Sequence, residues 1–333
     1  MKVAINGFGR IGRQILRAVL EYDRGEVEVM AVNDLVEPDT LAHLLKYDSV
    51  YGTLEDEVSV DGDILIAGGR KIKCLSAKDP AELPWGEMGI DVAVESTGIF
   101  TKREDALKHL EAGSAKVMVT APMKGKGADI TIVLGVNHEK YDPEEHNIVS
   151  NASCTTNGLA PICKIMHDNF VIKGGFMTTI HAYTNGQNLV DGPNKDLRRA
   201  RAAASNLVPT TTGAASALGD VIPDLEGKLD GMAVRVPVPV GSLIDLVVDI
   251  EKDAGLDDIK KTFRDSAEMD RYNGIVEYRS DPIVSTDIVG NPYSAIFDSL
   301  AAMKLGNRVK LMSWYDNEWG YSCRCYDLIK FMA

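Results

Sequence analysis

One thiol in this chain stands among groups that suit a reacting sulfur. The stretch SNASCTTNG, residues 150–158, surrounds Cys154 with hydroxyls, amides and small side chains, whereas a buried structural cysteine packs against aliphatic ones. A free thiol with a pKa near ~8.5 is only a few per cent ionised at neutral pH, and the thiolate is the nucleophile. Leu159, Ile162, Cys163, Ile165 and Met166 follow with helical spacing, and Pro161 is tolerated only in an early turn. Cys154 is therefore expected at or just before a helix N-terminus, whose partial positive charge favours the thiolate and lowers its pKa. Ser153, Thr155, Thr156 and Asn157 supply donors to an anion or a developing oxyanion.

Such a thiol needs a base or an ion-pair partner, and the chain holds six histidines. His43, His109, His138, His146 and His167 lie in strongly charged or helical-surface patterns and read as solvated. His181 lies in an expected strand ending TIHAYTNGQ, among small polar residues. Two readings stay open for it: a satisfied strand histidine, or the group that stabilises the thiolate and serves as general acid and base. Lys195, Arg198, Arg199 and Arg201 gather in KDLRRAR, ahead of PTTTGAA (209–215). That hydroxyl and glycine loop could cradle a phosphate, and the alternative is a solvated basic turn. Arg235, inside the apolar AVRVP, calls for an anionic partner, because burying an unpaired guanidinium is costly.

A second constellation opens the chain. GFGRIG places Gly7, Gly9 and Gly12 between an expected strand, KVAIN (2–6), and a helical pattern through Ile15, Leu16, Val19 and Leu20. In that setting the glycines allow a tight turn and close backbone approach, so that a pyrophosphate rests on the amides of a helix N-terminus. Asp34 ends the next strand, EVEVMAVND, 22 residues after Gly12. An acid there accepts from both ribose hydroxyls of NAD and repels a 2′-phosphate. The expected ligand is NAD rather than NADP.

These groups must be positioned by the elements around them. DVAVEST (91–97), KVMVTAP (116–122) and ITIVLGV (130–136) read as further strands, with the helix REDALKHLEAG after the first. Alternating strands and helices argue a doubly wound, mostly parallel Rossmann-type sheet over roughly the first 150 residues. Beyond about residue 174 the strands lengthen: GFMTTIHAYT, GMAVRVPVPV, SLIDLVVDIEKD, SAIFDSLAAMK and RVKLMSWYD. With one clear helix, LDDIKKTFRDSAEM (256–269), they predict an α+β domain with a mostly antiparallel sheet. The terminal WGYSCRCYDLIKFM is expected to be a helix returning to the first domain.

Composition narrows the partners. The chain has 333 residues, 45% of them hydrophobic, enough for two cores. MKVAING is too polar for a signal peptide and no apolar run reaches about 18 residues, so a soluble, cytoplasmic protein without a membrane partner is expected. Five cysteines, Cys74, Cys154, Cys163, Cys323 and Cys325, lack metal-type paired spacing and predict reduced thiols with no bound metal. A formal charge of −13 disfavours nucleic acid.

INGFGRIGR, VND, ESTGIFT, SNASCTTN, IHAYTN, DLRRARAAA, PTTTGAA, RVP and SWYDNEWGYS, in this order, resemble phosphorylating glyceraldehyde-3-phosphate dehydrogenases from residue 2 to the C-terminus. The resemblance implies an NAD-binding Rossmann domain (1–153 and 318–333), a catalytic domain (154–317) and a homotetramer. It implies the glycolytic or gluconeogenic interconversion of glyceraldehyde 3-phosphate, NAD and inorganic phosphate with 1,3-bisphosphoglycerate and NADH. Cys154 would form the hemithioacetal and thioester, with His181 as base. Thr184, Arg199 and Arg235 would match the substrate-phosphate contacts, and Ser153, Thr155, Thr212 and Gly213 those of the attacking phosphate. Arg10, Ile11, Asp34, Lys78, Thr120 and Asn317 would match the NAD contacts. Gly158 stands where the family usually has a second cysteine, Val238 and Val240 where it has threonine and asparagine, and DGPNK, with Gly192, where a leucine-proline pair is common. The alternatives are erythrose-4-phosphate dehydrogenase, whose members usually lack HAYTN and PTTTGAA, aspartate-semialdehyde dehydrogenase, which lacks SNASCTTN, and a catalytically silent NAD-binding module.

Overall fold

In the computed structural model, residues 1–125 and 127–332 are described. Lys126 and Ala333, both inside the expected first domain, lie outside the described residues. The chain forms two compact units, one of Met1–Ile132, Glu139–Ser153 and Ser322–Ala333, the other of Val133–His138 and Cys154–Tyr321. No helix among the described residues is long and apolar enough to cross a membrane.

The first unit is built on a nine-stranded sheet in the order Ile130–Thr131, Ile148–Ser150, Lys116–Val119, Val92–Glu95, Lys2–Asn6, Glu28–Asn33, Arg70–Leu75, Ile64–Ala67, Val58–Asp61. Its first seven strands run parallel and the last two turn back antiparallel. Strands such as VAI and VAV are continuous apolar runs because both faces are covered, and Val3, Ala4, Ile5, Ala93 and Val94 are fully buried. Lys2–Asn6 lies between Val92–Glu95 and Glu28–Asn33, the point where strand order reverses and a ligand crevice opens at the carboxyl ends.

Two expectations are corrected here. ITIVLGV is a strand only at Ile130–Thr131; beyond it Val133 is capped by Asn137 Oδ1 at 2.9 Å and bends into a turn. Burial without a ladder explains the run, since a short apolar stretch reports burial and not conformation. His109, expected at the surface, is fully buried. In helix Arg103–Glu111 it lies three residues from the buried Ala106, so both occupy the inward face of a mostly charged helix. His43 is exposed, and His138, His146 and His167 are partly so.

The second unit holds a mixed sheet, ordered Val208–Thr211, Leu229–Val236, Ile172–Ala182, Ser242–Ile250, Arg308–Tyr315, Ala295–Asp298, Val276–Arg279, with antiparallel pairs in the majority. The segment SAIFDSLAAMK divides into Ala295–Asp298 and Met303–Leu305, because the Asp298 carboxylate accepts from the amides of Leu300 and Ala301 and turns the chain. Burial alternates along Ile172–Ala182 so that Met177, Thr179 and His181 face inward. Helix Cys154–Phe170 packs against this sheet.

That helix carries Pro161 at its eighth residue, in the interior and not in an early turn as expected. A central proline costs about 3 kcal/mol in an exposed helix; here the flanking Leu159, Ala160, Ile162 and Cys163 are all completely buried, and their packing offsets that cost. Gly158 sits where the helix meets the sheet: a Cβ on it would lie 3.1 Å from Ile244 Cδ1, 3.2 Å from Ser294 O and 3.3 Å from Tyr315 Cδ1. A cysteine here would need these neighbours to give by a few tenths of an ångström. Gly158→Cys is expected to lower stability by about 1–3 kcal/mol through overpacking, measured as a fall in the urea midpoint; an unchanged or raised midpoint would show that the neighbours yield freely.

Candidate active site

Cys154 is the first residue of helix Cys154–Phe170. Ala152 reaches the helix start with φ at 53°, a left-handed conformation in which a non-glycine residue is uncommon. Two residues along the inner face of strand Ile172–Ala182 from Thr179, His181 presents Nε2 to Cys154 Sγ at 3.5 Å. The closeness of thiol and imidazole is the first geometric requirement for general base activation. Of the six histidines only this one meets the sulfur.

Tyr315, which the sequence reading did not single out, fixes that closeness. Its buried hydroxyl lies 2.9 Å from Thr155 Oγ1, in the first turn after the thiol, and 2.7 Å from Thr179 Oγ1 on the histidine strand. Its ring meets the His181 ring edge-on at 5.8 Å. The signal was present in SWYD, where a phenol ends a strand whose alternate residues are buried, but only register shows that the hydroxyl joins two other elements.

Arg235 is the cross-strand neighbour of His181. Its Nη1 lies 2.7 Å from His181 Nδ1 and donates to Ala182 O at 3.0 Å, while Nδ1 itself lies 2.7 Å from that carbonyl. The expected anionic partner is not supplied by the protein: no carboxylate among the described residues pairs with Arg235, and its buried Nε has no acceptor. The arrangement leaves a positive charge uncompensated by any described carboxylate, the kind of group that can take an anion.

The charge has two consequences. Burial, with the Arg235 cation next, holds the His181 pKa down to about 3, so the resting imidazole is neutral. Burial also pushes the Cys154 thiol up, against the pull of Arg235 and of hydrogen bonds from Thr155. The expectation of a lowered thiol pKa from the helix terminus alone is therefore corrected. Desolvation is the largest influence on the thiol, and the imidazole beside it is held neutral.

The other anion-binding candidates separate. Arg199 turns inward, donating from Nε to Thr210 Oγ1 at 2.9 Å, and Lys195, Arg198 and Arg201 remain exposed, the last paired with Asp191. Thr184 shares a small space with Arg199: a Cβ on Gly186 would lie 3.7 Å from Thr184 Oγ1 and 3.8 Å from Arg199 Nη1. Thr212 and Gly213 occupy the loop after strand Val208–Thr211, where Thr212 Oγ1 accepts from Ala214 N. Ser153 is half-buried at the end of the first unit. Asn317 is buried, its Oδ1 accepting from Ser242 Oγ at 2.8 Å and Gly241 N at 3.2 Å, which leaves Nδ2 as the donor end.

In the first unit the three glycines have different reasons. Gly7 has φ of 88°, and a Cβ there would lie 2.6 Å from Thr97 N; a Cβ on Gly12 would lie 2.3 Å from Gly7 O. A Cβ on Gly9 would meet nothing within 4 Å, so the open room lies above the glycine that begins helix Arg10–Tyr22, whose cap has no side-chain hydrogen bond. That cradle fits a pyrophosphate. Asp34 is held ready, accepting from Phe8 N at 2.9 Å and Val36 N at 3.2 Å. Arg10 reaches Asp48 at 2.5 Å, Ile11 is half-buried, Lys78 is exposed, and Thr120 donates its amide to Glu95 O at 3.0 Å.

Residues 153–317 match the model of the glyceraldehyde 3-phosphate dehydrogenase C-terminal domain, and residues 1–103 that of the family's NAD binding domain. The chain belongs to the glyceraldehyde-3-phosphate dehydrogenase family. It is 54% identical to a glyceraldehyde-3-phosphate dehydrogenase of Streptomyces coelicolor, 54% to that of Geobacillus stearothermophilus and 55% to that of Mycobacterium avium, in each case over the whole of this chain and 98% of the relative.

For this glyceraldehyde-3-phosphate dehydrogenase chain, the suppressed histidine predicts a pH effect. The folded pKa of about 3 lies below the unfolded value near 6.5, so below that value the unfolded chain binds a proton that the native one refuses. Stability from this group is complete above about pH 6.5 and is lost towards pH 3 at up to ~1.4 kcal/mol per pH unit. Between about pH 7 and pH 5 the wild type should lose about 2 kcal/mol more than His181→Asn in urea unfolding; equal losses would refute the suppressed pKa.

Proposed function

We propose that the protein oxidises glyceraldehyde 3-phosphate to 1,3-bisphosphoglycerate, in glycolysis or its reversal, with NAD and inorganic phosphate as co-substrates. The observation that carries this reading is the Cys154 Sγ to His181 Nε2 contact of 3.5 Å beside a partly buried guanidinium that no carboxylate among the described residues pairs with. Family membership and the cradle at Gly9 support it, and the cofactor is NAD.

His181 Nε2 takes the thiol proton as Cys154 Sγ bonds to the aldehyde carbon and returns it to the oxygen, giving a hemithioacetal; the neutral imidazole then takes the hydroxyl proton as the hydride leaves that carbon. NAD, when bound, accepts the hydride from that carbon. The thioester that remains is opened by a phosphate oxygen, and sulfur departs as thiolate. One sulfur thus serves as nucleophile and leaving group, which a serine oxygen does poorly. Arg235, with Thr184 and Arg199, takes the substrate phosphate, and Ser153, Thr155, Thr212 and Gly213 take the attacking one. Thr155 does so with its hydroxyl already tied to Tyr315. Gly7, Gly9, Arg10, Ile11, Gly12, Asp34, Lys78, Thr120 and Asn317 hold NAD. On this reading residues 1–153 and 318–333 serve the cofactor and 154–317 the chemistry.

A homotetramer accounts for the apolar side chains left exposed, among them Phe176 and Met232 on the outer sheet face and Leu189, Val190 and Leu197 in one loop. All five cysteines are free, which suits the reducing cytoplasm.

Cys154→Ser should retain NAD binding and lose turnover by several orders of magnitude, since a serine hydroxyl is scarcely ionised near neutrality. Substantial steady-state NADH formation by that variant would overturn the assignment. Arg235→Leu should raise KM for the phosphorylated aldehyde by about ten- to a hundredfold, the worth of a charge-assisted contact, and far less for unphosphorylated glyceraldehyde. Equal effects on both would make the residue structural. Asp34→Gly should weaken NAD and improve NADP, and a wild type that used NADP equally well would contradict the role of the carboxylate.

A further inference from the structure

Beneath the glycine loop runs a line of buried polar side chains to which neither the motif nor the catalytic chemistry assigns a part. Glu95, the last residue of strand Val92–Glu95, is 1% exposed, and Asn6, Asn33, His109 and Trp85 are 2%, 4%, 0% and 0% exposed. Trp85 Nε1 donates to His109 Nδ1 at 3.0 Å, and His109 Nε2 meets Glu95 Oε2 at 3.0 Å. The same oxygen accepts from Asn6 Nδ2 at 2.6 Å, and Glu95 Oε1 takes the Thr97 amide at 2.9 Å and the Thr97 hydroxyl. Asn6 Oδ1 in turn accepts from Asn33 Nδ2 at 2.7 Å. Asn33 closes on the backbone of Ala77, donating to its carbonyl at 2.9 Å and accepting from its amide at 2.8 Å.

The direction of every bond is fixed from the two ends. An indole N–H only donates, so His109 Nδ1 must accept and Nε2 must carry the proton towards Glu95. A backbone N–H only donates, so Asn33 Oδ1 faces Ala77, its Nδ2 faces Asn6 Oδ1, and Asn6 Nδ2 is left to face Glu95. The carboxylate is the acceptor at the centre, with donors on both oxygens. Buried polar networks satisfied at every member specify a single geometry.

The line passes under the carboxyl ends of four adjacent strands, Val92–Glu95, Lys2–Asn6, Glu28–Asn33 and Arg70–Leu75. Each of its backbone or strand-end anchors starts a loop on the ligand side: Gly7 after Asn6, Asp34 after Asn33, Lys78 after Ala77, Thr97 after Glu95. The Glu95 carbonyl also holds Thr120 N at 3.0 Å and Thr120 Oγ1 at 3.2 Å. We propose that this network, centred on Glu95 and oriented by His109 and Trp85, is a positioning element for NAD: it sets the relative heights of the loops that carry Gly7, Asp34, Lys78, Thr97 and Thr120. The proposal rests on the reading of those loops as the dinucleotide site.

Glu95→Gln tests it, because the amide nitrogen must face donors whichever way it turns: Asn6 and His109 on one side, the Thr97 amide on the other. The NAD dissociation constant by calorimetry is expected to rise about tenfold or more, with KM for NAD following and kcat at saturating NAD changing far less. Alkylation of Cys154 by iodoacetamide without NAD should stay at the wild-type rate. His109→Gln, whose amide can accept from Trp85 and donate to Glu95, should bind NAD within about twofold of wild type, and His109→Leu should lose about tenfold. If Glu95→Gln does not fold, that pair decides alone. Unchanged NAD affinity in Glu95→Gln, or equal affinity in the two His109 variants, would overturn the proposal. Asp34→Gly, measured alongside, separates the underlying reading: if it leaves NAD affinity unaltered, the site itself is misplaced.

Discussion

A partly buried guanidinium that no carboxylate among the described residues pairs with shapes the electrostatics of the second unit. Arg235 sits where strand pairing puts it beside His181, in surroundings that would normally demand a carboxylate. Because none pairs with it among the described residues, its charge falls on the neighbours: it helps to keep His181 neutral and draws the Cys154 thiol part of the way back from the rise that burial imposes. A carboxylate there would cancel both effects. On the proposed reading, the same uncompensated charge would meet a phosphorylated substrate and set the state of the base.

The rigidity around this charge comes from a neutral device. Tyr315 spans the helix start and the histidine strand through Thr155 and Thr179, so that the distance between sulfur and imidazole is set by hydroxyl groups whose own alternatives are few. Burial pushes the Tyr315 phenol up, out of the range in which it could ionise and exchange roles with the thiol. Close packing at Gly158 brings the same helix against Ile244, Ser294 and Tyr315, so the small residue there suits contact distance rather than turn geometry.

In the first unit the corresponding constraint is a carboxylate satisfied only by donors. Glu95 is a fully buried carboxylate at a strand end and Arg235 a partly buried guanidinium one residue before its strand's end, and the two are satisfied differently. The one has donors on both oxygens, and the other is left with a buried Nε–H unsatisfied, which suits the geometric part proposed for Glu95 and the recognition proposed for Arg235.

The sequence by itself determined the parts that depend on local pattern. The glycine spacing after KVAIN, Asp34 at the next strand end, Cys154 at a helix start and the alternation around His181 were all legible, because turn geometry and strand periodicity act over a few residues. Family resemblance extended this to the whole chain. What the tertiary structure alone decided was the balance of long-range terms: the raised thiol pKa, the lack of a carboxylate beside Arg235 among the described residues, the burial of His109 in a charged helix and the tolerance of Pro161 mid-helix. Each of these turns on desolvation and on contacts between residues tens to hundreds of positions apart, such as Thr155 with Tyr315 or Asn6 with Glu95. No window of sequence contains those distances, and so no window could have supplied the energies that follow from them.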